Sequence, residues 1–190
     1  MIVACDQGNA IGHSDGRLPW HIKEDLARFK ALTTGSTVVM GHNTYVSLNR
    51  PKGLPNRRNV VLSRKPYSEI RSEIDFDVEV ISSLDWVLQH NEAAKRTVAG
   101  TDREPSDIWI IGGASVYGEA IARRIVDEIH MTLVYTTSSA EVRLPFDLAA
   151  WKKFILEQRK LGVNWEREYV CEPETESGQR IAFMTFKRYP

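Results

Sequence analysis

The stretches MIVAC (1–5), TVVM (37–40), NVVLS (59–63) and IWII (108–111) are short, β-branched and apolar at nearly every position. A strand with one wet face alternates apolar and polar residues, so runs of this kind belong to strands buried on both sides, as in a parallel sheet covered by helices. VEVIS (78–82) and EIHMTLVYT (128–136) add two more strands. Helical patterns lie between them at Glu24 to Thr33, Thr44 to Leu48, Leu84 to about Ala94, and Ala114 to Ile125. Alternation of this sort implies βαβ units. The tail breaks the rhythm: FILEQ (154–158), WEREYV (165–170) and RIAFMTFKRY (180–189) follow one another as strands with no helix between. Lys95 to Asp107 and Glu172 to Gly178 are polar and rich in turn residues, which marks loops. The expectation is an α/β fold in a single domain, residues 1–190. Its centre is an eight-stranded, mainly parallel twisted sheet with a C-terminal antiparallel hairpin, flanked by about four helices.

Charge narrows the class of partner. Lys plus Arg and Asp plus Glu both number 25 in 190 residues, so no global field exists to hold nucleic acid or an anionic membrane, and recognition of an anion must be local. A small molecule is the expected partner. Cys5 and Cys171 lie far apart, without a CxxC or a Cys/His cluster, which argues against a structural disulfide or a metal site. The start, MIVACDQGNAIG, lacks a basic lead and a long apolar core. A cytoplasmic protein is expected.

One acid stands out. Leu26, Phe29 and Leu32 form an apolar stripe at helical spacing, and Asp25 sits on its edge. Acids are common in a first helical turn, where the dipole favours them, and that role alone would explain the residue. The sharper reading makes Trp20, Ile22, Leu26 and Phe29 the walls of a dry pocket with Asp25 as its charge, suited to gripping a heterocycle with paired N–H donors. Burial would then raise its pKa.

Three glycine-marked segments complete the candidates. IIGGASVYGEA (110–120) runs a strand through Gly112-Gly113 into a helix, and paired glycines either let a ligand approach the backbone or simply let helix and strand pack. MGHNTYVSL (40–48) repeats the strand–Gly–helix pattern and is followed by six cations, among them Arg57 and Arg64. Solvation explains most such clusters, yet Arg64 directly follows a buried-type strand, where ligands approach. DQGNAIGHSDGRLPW (6–20) carries three glycines between the first strand and the first helix, either a plain connector or a lid.

Taken in order, these segments resemble dihydrofolate reductase. The residues that carry the resemblance are Ala4, Ile11-Gly12, Leu18-Pro19-Trp20, Asp25, Phe29, Met40-Gly41, Thr44-Tyr45 and Ser47. Further on come Arg50-Pro51, Leu54-Pro55, Arg57, Asn59, Leu62-Ser63, Gly112-Gly113, Val116-Tyr117 and Thr132. The resemblance implies reduction of 7,8-dihydrofolate to tetrahydrofolate with NADPH as cofactor, by hydride transfer to C6 and protonation of N5 through water. It also implies a monomer open to antifolate inhibitors, without nucleic acid, membrane or metal.

Roles follow from the same resemblance. Asp25 would bind the pterin's 2-amino group and ring nitrogen, Thr132 would support it, and Trp20 and Tyr117 would complete the catalytic set. Arg57 would take the α-carboxylate of the glutamate tail, with Val3, Ala4, Leu26, Phe29, Leu48 and Ile111 lining the substrate site. The nicotinamide would lie near Ala4, Ile11 and Tyr117, with Thr44 and Ser115 near the phosphates, and Gly12 and Leu18 would also border the cofactor. Gly41, His42, Asn43 and Thr44 would hold the rest of the cofactor from one side, and Leu62, Ser63 and Arg64 from another. Ile111, Gly112, Gly113, Ala114, Ser115 and Val116 would hold it from the end of the sheet.

Departures from the family pattern fall at three places. The loop HSDGR (13–17) is one residue longer than usual. His42 replaces a permanent cation expected to meet the cofactor's 2′-phosphate, a task that shifts to Arg64. Glu141-Val142-Arg143-Leu144-Pro145 replaces a Gly-Asp step. Two alternatives stand beside the main reading: a riboflavin-pathway reductase of the same fold, and a folate- or nucleotide-binding homologue without turnover.

Overall fold

A computed structural model describes residues 1–98 and 107–189, with 92–98 described by backbone alone. In chain order the elements are β1 (Ile2–Asp6), β2 (Ala10–Gly12), α1 (Lys23–Thr33), β3 (Thr37–Gly41), α2 (His42–Ser47), β4 (Arg58–Leu62), α3 (Tyr67–Ile70) and β5 (Glu79–Ile81). There follow α4 (Asp85–Val98), β6 (Ile108–Gly112), α5 (Ala114–Ala122), β7 (Glu128–Val134), β8 (Val142–Arg143), α6 (Trp151–Lys160), β9 (Asn164–Cys171) and β10 (Ile181–Tyr189).

Two four-stranded sheets, ordered β1-β7-β10-β9 and β5-β4-β3-β6, lie side by side along β1 and β6, so eight strands form the central layer. The pairs β1/β7, β3/β4, β3/β6 and β4/β5 are parallel. The strand β10 is antiparallel to both β7 and β9. The all-apolar runs do what their composition requires. Val39, Val60 and Ile110 enter one core, whereas their neighbours Val38, Val61 and Trp109 enter another. Successive residues of a strand point to opposite faces, and both faces here are covered.

Three expectations need correction. FILEQ is not a strand but part of α6. Trp151, Phe154, Ile155 and Gln158 are the residues of that segment drawn inward, with Phe154 only 1% exposed, and this i, i+3, i+4, i+7 spacing is helical. Among the described residues, α3 and α6 add two helices to the four helical patterns of the sequence. Residues 95–98, expected in a loop, extend α4, while 99–106 lie outside the described residues. The short antiparallel pair of β2 with β8 was also not foreseen.

Register decides what faces what. Ala4 on β1 and Phe183 on β10 both pair with Thr132 on β7, and α1 lies over this strip. The strands β3, β4 and β6 end together at Gly41, Leu62 and Gly112, and the carboxyl ends of parallel strands are where such sheets open to ligands.

Candidate active site

A cleft of about 2350 Å³ runs from α1 across the ends of β3, β4 and β6. Sites for one small molecule usually span roughly 300–1,000 Å³, so two ligands can lie in it together.

Its substrate-sized end is built on α1. Asp25, Leu26 and Phe29 point into it, faced by Val3 and Ala4 of β1, Leu48 after α2, and Ile111 of β6. Of the acids along the cleft, Asp15, Glu73 and Glu119 are exposed, and Asp25 alone is half-buried. Burial raises its pKa, opposed by a hydrogen bond from the Thr132 hydroxyl and by the Arg28 charge. Thr132 itself is buried and supports the acid from behind instead of lining the cleft. Ile22, expected in the pocket wall, instead packs on Val134 and Ile181 away from the opening. Trp20 keeps its place along the cleft.

Arg57 guards the outer edge. Its Nε donates to Thr33 Oγ1 at 2.8 Å and its Nη1 to the Pro55 carbonyl at 2.6 Å. Phe29 lies under the guanidinium, 5.7 Å from ring centre to Cζ. Neutral oxygens and a ring fix its orientation, which leaves its charge available to a ligand. Lys30, Arg50, Leu54 and Pro55 extend the same edge. None of them was assigned a role from the sequence, although Lys30 was within reach because it follows Phe29 on the cleft-facing helix.

The other end is a backbone cradle. Gly112 has φ +125, and a Cβ there would stand 3.2 Å from the Tyr117 hydroxyl; a Cβ on Gly41 would come within 3.1 Å of Val116 Cγ2. Glycine is what lets β3, β6 and α5 converge and leaves room beside them. Tyr117 is held in turn, its hydroxyl donating to the Ile2 carbonyl at 2.8 Å, and burial pushes its pKa up. Asn43, Thr44, Leu62, Ser63, Arg64, Ala114 and Ser115 line this end. His42 lines it too, but its Nε2 lies 3.3 Å from Glu73 Oε2. An acid of the protein itself thus stands beside His42, which chain position alone could not reveal.

The glycine-rich segment 6–20 is tied at two places. Buried Asp6 accepts from the Gly8 and Ala10 N–H groups (2.8 and 2.9 Å) and from the Ser138 N–H and hydroxyl (2.6 and 2.8 Å). Those four donors hold its carboxyl below the usual range against the opposing effect of burial. Farther along, Glu141 accepts from the Ser14 N–H at 3.1 Å and meets His13 Nδ1 at 3.3 Å. Ile11, Gly12 and Leu18 of this segment border the cleft.

Comparison with known proteins gives one family. The family model described as dihydrofolate reductase matches residues 1–172. Dihydrofolate reductase type 3 of Salmonella typhimurium is 36% identical over 181 residues, covering 95% of this chain and 98% of that protein. Dihydrofolate reductase of Bacillus subtilis (strain 168) is 35% identical over 159 residues, 83% of this chain and 82% of that one. Among solved structures, dihydrofolate reductase from Enterococcus faecalis complexed with NADP(H) and RAB-propyl superposes with a TM-score of 0.74 at 25% identity, covering 100% of this chain and 95% of the other.

Proposed function

The chain belongs to the dihydrofolate reductase family, and from that membership and its cleft we propose that Asp25, Thr132 and Arg57 seat the dihydrofolate that it reduces to tetrahydrofolate with NADPH. The observation that carries the assignment is the half-buried Asp25, backed by Thr132, in one continuous cleft with the Gly41 and Gly112-Gly113 cradle. The riboflavin-pathway alternative ends with family membership. The non-catalytic alternative is put to the test by turnover. With dihydrofolate and NADPH, reduced-nicotinamide absorbance is expected to fall, and no fall at micromolar enzyme would overturn the reading.

In this assignment the Asp25 carboxylate accepts two N–H groups from one edge of the pterin, a paired geometry that suits a carboxylate. Its negative charge favours a proton on the bound ring. The proton required at N5, on the far edge, arrives through water. Val3, Ala4, Leu26, Phe29, Leu48 and Ile111 keep the remaining surface dry, which strengthens that electrostatic effect and holds the ring in place. Trp20 and the segment from Asp6 to Trp20 cover the reacting end. Antifolate inhibitors of pterin-like chemistry would occupy the same end of the cleft. Among the described residues no helix is long and apolar enough to cross a membrane.

The cradle fits NADPH: the close backbone approach at Gly41 and Gly112 leaves room for a flat ring and a pyrophosphate, flanked by Thr44, Ser63 and Ser115. When bound, the cofactor supplies the hydride that adds to C6. Tyr117, Ala4, Ile11, Gly12 and Leu18 border the nicotinamide in this reading, and Asn43, Leu62, Ala114 and Val116 the remainder.

Arg64 is assigned the 2′-phosphate, because His42 Nε2 faces Glu73 at 3.3 Å whereas Arg64 is exposed at the end of the cleft that β4 reaches. Arg64→Ser is expected to raise KM for NADPH about five-fold, the effect of losing roughly 1 kcal/mol at an exposed ion pair, and to leave KM for NADH unchanged. Steady-state kinetics with both cofactors check this. An unchanged ratio of the two constants would remove Arg64 from the site.

A further inference from the structure

Arg28 stands one helical turn after Asp25 on α1 and does not line the cleft. It points at the sheet, where Glu128, His130 and Thr132 share one face of β7 because strand residues two apart point the same way. The Arg28 Nη2 donates to His130 Nδ1 at 3.4 Å. Its Nη1 is buried with no hydrogen-bond partner, and Phe183 lies under the guanidinium, 4.8 Å from ring centre to Cζ. The Thr185 hydroxyl also lies 3.4 Å from His130 Nδ1. Accepting from these donors requires a lone pair on Nδ1, so the ring proton sits on Nε2, directed at Glu128 Oε2 at 3.1 Å. A neutral His130 oriented by Glu128 therefore fixes a cation in a half-dry place. Asp25 is held on Thr132 and Arg28 on His130, two residues apart on the same face of β7, so the acid one turn back on α1 is the anion this cation stands beside, and each charge favours the other.

We propose that Arg28 is a positioning residue for the reaction. Its charge, fixed by His130, holds Asp25 anionic and so sets how far into alkaline solution the acid and the bound pterin keep the proton they share. The inference rests on the assignment of Asp25 to the pterin. It deepens that assignment, because Arg28 reaches the substrate only through Asp25.

Other titratable groups also face this pair. Burial lowers the pKa of His130, and that of the Met1 amino group falls to about 5. The hydroxyls of Tyr117 on α5 and Tyr169 on β9 are both raised. Glu128 is shared with Lys187 of β10 at 3.6 Å. Cys171 stands next to Tyr169, and a Cys171→Ser background takes its thiol out of the comparison.

Removing a cation beside a shared proton raises the apparent pKa of the whole pair, whichever partner carries the proton. Reduction consumes that proton, so activity falls on the alkaline side. In the Cys171→Ser background, Arg28→Met is expected to move the alkaline limb of kcat/KM for dihydrofolate up by at least about half a unit. Relative to its own acid plateau, the variant then retains about three-fold more activity on that limb. Arg28→Lys is expected to keep the parent profile. Arg28→Gln, which keeps a donor toward His130 but no charge, is expected to shift like Met and carries the test if Met does not fold. An alkaline limb unmoved in Met and Gln, or moved equally in Lys, would overturn the proposal, whereas absence of turnover in the parent would instead overturn the assignment on which it rests.

Discussion

Asp25→Asn is expected to lower kcat/KM for dihydrofolate near pH 7 by about 100- to 10,000-fold, the range for losing a positioned proton-managing group, with NADPH affinity unchanged. The substitution preserves shape. The Thr132 hydroxyl can still donate to the amide oxygen, but the amide nitrogen now presents donors to a pterin edge that also donates, and no negative charge remains to favour a protonated ring. In acid the substrate carries its own proton more often, so part of the activity returns. Folding gives an independent check with its own sign. Burial raises the Asp25 carboxyl above its unfolded value, so its ionisation in the folded protein costs stability above that raised value and costs nothing below the unfolded one. The amide escapes this cost, and near pH 7 the variant is expected to melt no lower than the parent. Parent-level turnover in the variant would reduce Asp25 to an ordinary acid of the first helical turn.

How much of this was legible in the chain depends on how far apart the interacting residues are. The central sheet could be read because Val38-Val39 and Val60-Val61 carry their own two-sided burial, and the Gly41 and Gly112-Gly113 turns mark where those strands stop. Asp25 could be read because its conflict with the stripe of Leu26 and Phe29 is local. The helix around Phe154 was misread because Phe154, Ile155 and Leu156 are consecutive and apolar, a pattern shared by a buried strand and by a helix with one exposed leucine. Ile22 was assigned to the wrong wall for a similar reason: its partners, Val134 and Ile181, are more than a hundred residues away. The approach of Glu73 to His42, the two Ser138 donors on Asp6, and the contact of Arg28 with His130 all join segments that only the folded chain brings together. Spacing along a sequence says which residues share a face. It does not say which charge will stand opposite.

Arg57→Leu is expected to weaken dihydrofolate by about 2–4 kcal/mol, the lower part of the range for truncating one partner of a buried charged pair, or about 30- to 1000-fold in affinity. The native guanidinium is half-buried, and desolvation lowers its pKa. Its Nε and Nη1 are satisfied by Thr33 and Pro55, and Nη2 reaches only the Lys30 carbonyl at 3.4 Å. A tail carboxylate arriving there would meet an oriented, poorly solvated cation, so the pair forms with little further loss of water or of side-chain freedom. Leucine keeps an apolar contact with Phe29, and Thr33 still donates to the Phe29 carbonyl at 2.7 Å, so α1 should hold its place. Pterins without the glutamate tail would then bind variant and parent alike, because the Asp25 end of the cleft is untouched. Binding measured for dihydrofolate and for a tail-less pterin separates the two roles: equal losses for both would show that Arg57 acts by holding α1 and not by meeting a carboxylate.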